Sequence, residues 1–314
     1  MNLQQLKYLC AIVDHGLNVS DAAEALCTSQ PGISKQIRQL EDELGLRVFV
    51  RQGKRLTSLT PAGADVIATA RRALREIHNL KRIAEEFRGE DAGVLAIATT
   101  HAQARYVLPK VLAQFSMRFP KVRLVLHQGN PVQVAERTAA GEVDIGIATE
   151  ALAEHPDIAT LPCHRWNRGI LVPTGHPLAN ERPLTLEAIA RHPLVTYDFA
   201  FTGRSAINAA FAARGLETNV VLTALDTDVI KTYVEMGMGV GIIALMAYDP
   251  AKDAAFEMLD ASHLFAASTT RLALRKGAFL RGFVYEFIAL FAPQYRRAAV
   301  DAALAGTATA SDGL

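Results

Sequence analysis

The first 59 residues place apolar side chains at helical spacing in three successive segments. The third segment is the clearest, because Ile33, Ile37, Leu40 and Leu44 are separated by four, three and four positions. Two short apolar runs, 48–50 and 56–57, then flank a segment whose Gly53 favours a tight turn. The pattern predicts three helices followed by a small hairpin, or wing.

A longer amphipathic segment follows. Thr60 and Pro61 suit the N-cap and first turn of a helix. Up to about residue 88 there is no further proline and one glycine, Gly63. The main apolar stripe consists of Ile67, Ala70, Leu74, Ile77 and Phe87. A stripe of this length needs a partner, so we expect a helix from a second subunit; packing on its own domain is the alternative.

The pattern changes after a polar, glycine-bearing joint at 89–93. Buried-strand runs at 94–98, 122–126 and 143–148 alternate with helical segments at 107–119 and 132–141. This alternation predicts a mostly parallel sheet with helices on both faces. The segment after Ala292 is rich in Ala, Thr and Ser, and we expect it to fray.

Composition narrows the class of protein. The chain has 314 residues, half of them apolar, and a net charge of +1, which is typical of a globular protein with two or three compact units. Because the net charge is so small, a nucleic-acid-binding surface must be locally basic. Three scattered cysteines, no signal-peptide pattern and no long apolar run favour the cytoplasm and argue against a membrane protein.

The second and third helices have the features of a helix-turn-helix. Ala22 and Ala23 are small where two helices would cross, and Thr28 or Ser29 can cap the third helix. Opposite its apolar face this helix carries side chains suited to base edges and phosphates, namely Gln30, Ser34, Lys35 and Arg38. The alternative is an ordinary three-helix bundle with a solvated polar face.

Three predicted strand ends carry hydrogen-bond donors. Thr99, Thr100 and Gln103 follow the first strand of the second half, Thr149 precedes Glu150 at another, and Thr202 begins a later helix. Helix starts at the carboxyl edge of a sheet bind anions through free backbone N–H groups. A set of donors without acceptors suits a fully ionised oxyanion such as sulfate. For each threonine alone, a helix cap is the alternative.

The order of motifs over 22–63 resembles the LysR family of bacterial transcription regulators. The motifs are a pair of small residues at 22–23, Ser-Gln-Pro at 29–31, Leu-Glu at 40–41, Glu-Leu-Gly at 43–45, Phe-x-Arg at 49–51 and Leu-Thr-Pro-Ala-Gly at 59–63. The resemblance implies a ligand-controlled DNA-binding protein. It implies DNA contacts from the helix and the wing by Gln30, Pro31, Ser34, Lys35, Arg38, Arg51, Lys54 and Arg55.

Nearly the whole chain is also similar to the CysB-like subfamily, which regulates sulfur metabolism and cysteine biosynthesis. The runs that carry this similarity are 3–6, 98–101, 103–106, 147–152, 164–168, 201–205 and 228–233. The resemblance implies an α/β protein: a winged helix-turn-helix (1–59), a linker helix (60–88), an effector-binding domain similar to periplasmic binding proteins (93–300) and a flexible tail (301–314). The effector domain would comprise two α/β subdomains, 93–162 with 268–292, and 163–267.

The resemblance also implies a ligand in the cleft between these subdomains. It would be sulfate, an acetylserine or a related sulfur metabolite, held by Thr100, Gln103, Thr149 and Thr202, with Thr99, Glu150 and Trp166 nearby. Trp166 fits core packing equally well. Ala102 stands where the family often has a threonine, and it cannot donate a hydrogen bond. This departure favours, as an alternative, a sister regulator of organosulfur or sulfonate use.

No metal and no catalytic residue is expected, and no cofactor apart from the effector. The implied partners are double-stranded promoter DNA, a small anion and further copies of the chain in a dimer or tetramer, with RNA polymerase as a further candidate. A solute-binding protein would share the second half but not the first ninety residues. An enzyme is disfavoured because His101 and Cys163 lie in no recognised catalytic motif.

Overall fold

The computed structural model describes residues 1–53, 55–87, 92–198 and 202–307. Contacts divide the chain into two compact units, 1–88 and 89–314. The helices are α1 (Leu3–Asp14), α2 (Val19–Ala25), α3 (Gln30–Leu44), α4 (Pro61–Phe87), α5 (Leu108–Arg118), α6 (Pro131–Ala140), α7 (Leu186–Ala190), α8 (Thr202–Ala212), α9 (Thr227–Glu235), α10 (Gly282–Phe291) and α11 (Arg297–Leu304). The strands are β1 (Phe49–Gln52), β2 (Arg55–Leu59), β3 (Gly93–Thr99), β4 (Val122–Gln128), β5 (Ile145–Ala148), β6 (Ile158–Trp166), β7 (Arg168–Pro173), β8 (Leu194–Tyr197), β9 (Val220–Ala224), β10 (Val240–Ala244), β11 (Phe256–Asp260) and β12 (Ser268–Arg275).

The first unit consists of α1 to α4 and the β1–β2 hairpin. Leu9, Ile33, Ile37 and Leu40 are fully buried in its core. The caps follow from local chemistry: the Ser29 hydroxyl accepts from the N–H of Gly32 and caps α3. The helix-turn-helix and the antiparallel wing expected from the spacing are therefore present.

Helix α4 runs without interruption from Pro61 to Phe87. Its start is fixed by Thr60, whose hydroxyl accepts from the Gly63 N–H at 2.8 Å and donates to the Arg47 carbonyl at 2.6 Å. Ile67 is buried in the core of the first unit, whereas Leu80 and Phe87 are 65% and 87% exposed. The far half of the apolar stripe is thus not covered within this unit.

The second unit contains two five-stranded mixed sheets. The first has the order β4-β3-β5-β12-β6 and the second the order β11-β7-β10-β8-β9. In each sheet four strands run in one direction, and the fifth, β12 in the first sheet and β7 in the second, runs antiparallel to both of its neighbours. The chain passes between the sheets twice, at Asn167 and over 261–267. This topology gives two α/β subdomains joined by two crossings.

The first crossing occurs later than the expected boundary between 162 and 163. Strand β6 continues in the first sheet to Trp166, because β12 pairs with it up to the Ser268–Trp166 partners. The chain therefore leaves the first sheet at Asn167, and Trp166 lies at the crossing itself.

The expectation that the chain frays after Ala292, with a flexible tail from residue 301, is wrong as far as Leu304. Helix α11 packs Val300, Ala303 and Leu304 into the main core of the first subdomain. The alanine-rich composition suggested fraying, but three apolar side chains are enough to bury one face of a helix this short. Residues 308–314 lie outside the described residues. Within the described ranges, no helix is long and apolar enough to cross a membrane.

Candidate DNA-binding and effector sites

Helix α3 presents the residues predicted to contact DNA bases and phosphates on its outer face. Gln30, Pro31, Lys35 and Arg38 are exposed, and Ser34 is half-buried with its hydroxyl 3.4 Å from the Gln30 amide nitrogen. The opposite face is buried, so this surface is not needed for packing within the unit. An exposed row of amide, hydroxyl and cationic groups on the second helix of such a motif is the arrangement that enters a major groove.

The wing residues differ in what they contact. Arg55 is exposed on β2, and Lys54 lies outside the described residues. Arg51 directs its guanidinium at a carboxylate oxygen of Glu41, 3.1 Å away, and its side chain is 30% exposed. The structure therefore gives Arg51 a role in fixing the wing, whereas Arg55 is exposed to solvent.

Glu41 is the centre of this network. Its fully buried carboxylate accepts the N–H groups of Val48 and Phe49 at 2.9 and 3.2 Å, and also contacts Arg47 and Arg51 at 3.3 and 3.1 Å. Burial raises the pKa of Glu41, but the two backbone hydrogen bonds and Arg51 outweigh it and hold the pKa below its usual value. Helix α3 and the wing are thus held together by one ionised side chain.

A cleft opens between the two subdomains at the carboxyl ends of their parallel strands. Its space measures about 580 Å³, part of it open to solvent. The lining residues come from both sheets: Thr100, His101, Ala102, Gln103, Pro131, Thr149, Trp166, Arg168, Tyr197, Leu225, Asp226, Ala244 and Met246. Strands β3, β5, β8, β9 and β10 all end here, which is where open α/β sheets bind ligands.

The predicted effector residues divide into three groups. Thr100, Ala102, Gln103, Thr149 and Trp166 line the cleft together. Thr99 does not line it, because its buried hydroxyl donates to the Ile147 carbonyl at 2.9 Å and links β3 to β5. The side chains of Glu150 and Thr202 lie outside the described residues.

Three buried polar atoms of cleft-lining residues have no hydrogen-bond partner among the described residues: Nε2 of His101, which lies near a carboxylate described below, and one atom each of Gln103 and Trp166. Gln103 donates through its amide nitrogen to the Thr270 hydroxyl at 2.9 Å, and its amide oxygen is unsatisfied. The indole N–H of Trp166 is unsatisfied as well. Buried polar groups are nearly always paired, so these atoms of Gln103 and Trp166 mark places where a ligand or water completes the site.

Sequence reasoning missed the cleft residues of the second subdomain and gave no role to Arg168. This arginine is 1% exposed, donates to the Ala266 carbonyl at 2.9 Å and the Ser268 hydroxyl at 2.8 Å, and stacks 5.0 Å from the Trp166 ring centre. It therefore ties the two crossings together at the base of the cleft. An arginine directly before the apolar run 169–172 was the signal that could have revealed a buried cation.

Comparison with known families agrees with both units. Residues 3–64 match the bacterial regulatory helix-turn-helix protein family of LysR type, and residues 88–296 match the LysR substrate binding domain. The second match alone covers more than half of the chain.

This chain belongs to the LysR family.

Relatives of this LysR-family protein share nearly its full length. It is 53% identical over 300 residues to the HTH-type transcriptional regulator SsuR of Burkholderia cenocepacia, covering 96% of this chain and 97% of that protein. It is 47% identical over 308 residues to CysB of the same organism, covering 98% of each. Both relatives are named transcriptional regulators, so the chain is a transcriptional regulator and not an enzyme, and the CysB-like resemblance is confirmed.

Solved structures confirm the predicted fold class. The cofactor-binding domain of the Cbl transcriptional regulator superposes with a TM-score of 0.65 at 45% identity, covering 67% of this chain and 92% of that one. Full-length CbnR in complex with its target DNA gives a TM-score of 0.60 over 93% of this chain and 99% of that one. At 20% identity, the second likeness concerns the fold alone.

Proposed function

We propose that this regulator controls genes of sulfur assimilation and cysteine biosynthesis in response to a small anionic effector bound between its two subdomains. The observation that carries the proposal is the convergence of Thr100, Gln103 and Thr149 on one cleft with the buried guanidinium of Arg168. Hydroxyl and guanidinium donors suit the anionic group of sulfate, an acetylserine or a related sulfur metabolite, and the unsatisfied amide oxygen of Gln103 can accept from a donor on the effector or from a bound water. The sulfur-related relatives support the same class of effector.

The cleft position of Ala102 supports an alternative within this class. A threonine there would add a donor, whereas Ala102 contributes only a methyl group to the lining. Leu225, Ala244 and Met246 extend the apolar part of the wall. A sister regulator of organosulfur or sulfonate use, with an effector that carries a carbon group, fits this wall better than one that binds bare sulfate.

Two further proposals concern the macromolecular partners. Helix α3 reads promoter DNA in the major groove while the wing follows the backbone. The exposed Leu80 and Phe87 of α4 pack against the same helix of a second copy, which gives a dimer and, through pairs of dimers, a tetramer.

The regulator then acts in the cytoplasm, where promoter DNA and RNA polymerase are present. The effector changes transcription only through unequal affinity for alternative arrangements of the subunits.

A thermal-shift screen tests the effector site. The probes are sulfate, thiosulfate, O-acetylserine, N-acetylserine, adenosine phosphosulfate and short alkanesulfonates. A ligand at a hundred times its Kd stabilises the native state by about 2.7 kcal/mol. Thr100→Val keeps the shape of the side chain but removes its donor, so we expect it to abolish the shift.

The matched control is Thr174→Val, because Thr174 is exposed and outside the cleft lining. It should leave the shift intact. An unchanged shift in Thr100→Val, or no shift with any probe in the wild type, would contradict the proposal.

A further inference from the structure

A carboxylate of the second subdomain reaches across the cleft to the first. Asp228, in the first turn of α9, accepts a hydrogen bond from the Tyr106 hydroxyl at 2.6 Å. Its other oxygen lies 3.3 Å from Arg105 Nε and 3.5 Å from His101 Nε2. One side chain therefore contacts three residues of the segment that directly follows β3.

This segment has an unusual backbone. Residues Gln103–Val107 form a π-helical turn, a rare geometry that is frequently found at functional sites. The turn is held on both sides: Gln103 bonds Thr270 of β12 in its own subdomain, and Tyr106 bonds Asp228 in the other. Because the wide turn is intrinsically unfavourable, these tertiary contacts decide whether it persists.

Tyr106 is also packed into the second subdomain. Its ring contacts the apolar core that contains Ile230 and Val234 of α9. The ammonium group of Lys231 lies 5.3 Å from the ring centre. The aromatic ring and the carboxylate thus form a single anchoring point between the subdomains, next to the lining residues Thr100 and Gln103.

The electrostatics favour an ionised Asp228. Partial burial raises the pKa of Asp228. The Tyr106 hydrogen bond and the positive charge of Arg105 lower it by more than this, so the pKa lies below its usual value. At neutral pH the carboxylate is therefore ionised, so it accepts the Tyr106 hydrogen bond and pairs with the charge of Arg105.

We propose that Asp228 is a positioning residue for the effector site: from the opposite subdomain it holds the π-turn 103–107, so that Thr100 and Gln103 face the cleft in binding geometry. This inference rests on the proposed function, because it takes the effector to bind at those residues. The inference adds that the two subdomains close and the π-turn 103–107 forms in a single event. The effector then stabilises the closed arrangement through residues that Asp228 orders.

The first test needs no ligand. Hydrogen exchange of the full-length protein is compared for the wild type, Asp228→Ala, Asp228→Asn and the control Glu235→Gln, which removes an exposed charge from the same helix. We expect amides over 101–107 to exchange about fivefold faster in Asp228→Ala, as for a partly exposed charge-assisted hydrogen bond. Asp228→Asn keeps an acceptor for Tyr106 and should lie in between.

The contrast with the rest of the unit distinguishes positioning from general stability. Amides of β10 and β12 should keep their rates in every variant. Equal exchange over 101–107 in Asp228→Ala and the wild type would overturn the proposal, and so would a rise of the same size throughout the second unit.

The second test uses Trp166, the single tryptophan of the chain, which lines the cleft. Its fluorescence is titrated with sodium sulfate and with O-acetylserine. We expect Asp228→Ala to weaken the binding of whichever probe binds the wild type by about fivefold. Asp228→Asn should recover part of this loss, and Glu235→Gln should bind with wild-type affinity. Equal affinity in Asp228→Ala and the wild type would refute the positioning role. If neither probe binds the wild type, the proposed effector chemistry fails, and the exchange measurement alone decides for or against Asp228.

Discussion

Replacement of Glu41 by glutamine tests how helix α3 and the wing are joined. Glutamine keeps one oxygen for the N–H groups of Val48 and Phe49, but it turns an NH2 group toward Arg51 and Arg47 in place of a carboxylate oxygen. The carboxylate is completely buried, so the new donor has no access to water.

The magnitude follows from these contacts. An unsatisfied buried donor costs about 1–3 kcal/mol, and breaking a buried ion pair costs about 3–5 kcal/mol. The side chains of Arg51 and Arg47 are 30% and 62% exposed, so water recovers part of that loss. We therefore expect Glu41→Gln to lower the free energy of unfolding of the first unit by about 2–3 kcal/mol.

Thiol labelling under native conditions measures this change one unit at a time. Cys10 is buried in the first unit and Cys163 in the second, while Cys27 is exposed and labels at once. The expected loss corresponds to labelling of Cys10 about 30 to 150 times faster, with the rate at Cys163 unchanged. The matched control is Glu43→Gln, which alters an exposed ion pair on the same helix and should change the rate little. Equal Cys10 rates in Glu41→Gln and the wild type would refute the reasoning.

The same network predicts a pH dependence. Because the pKa of Glu41 is lower in the folded chain than in the unfolded one, its contribution to stability is fully present above about pH 4.3, the ordinary glutamate value. It is lost as the pH falls through the lowered folded pKa. The urea midpoints of the wild type and Glu41→Gln, measured by circular dichroism, should therefore differ at pH 7 and converge in acid. A difference that persists unchanged in acid would contradict this.

Two further predictions concern the same unit. Gly63→Ala should destabilise the first unit by about 1–3 kcal/mol, because an added Cβ would lie 2.0 Å from the Val48 carbonyl oxygen. Calorimetry measures this loss. An unchanged melting temperature would contradict the prediction and show that α4 can shift away from the wing. Arg38→Ala should weaken binding to a genomic fragment about equally for all sequences and reduce the salt slope by about 1, whereas Gln30→Ala should relax sequence preference. Fluorescence anisotropy at several salt concentrations separates the two, and identical behaviour would contradict the assigned contacts.

Much of the architecture is encoded locally. The four-three spacing of Ile33, Ile37 and Leu40 predicts α3, and the Thr60–Pro61 pair predicts where α4 begins, because caps and apolar faces depend on neighbours within one turn. The strand ends carrying Thr100 and Thr149 were found in the same way, since each donor directly follows an apolar run.

Tertiary structure alone decided which of these donors face a ligand. Thr99 and Thr100 are adjacent and chemically alike, yet Thr99, the last residue of β3, bonds β5, whereas Thr100 lies beyond the strand and lines the cleft. Arg168 and Asp228 reach the cleft only because two distant crossings and a second sheet meet there. Sequence patterns report contacts among near neighbours, whereas a site shared by two subdomains depends on residues about a hundred positions apart, and only the folded chain brings those together.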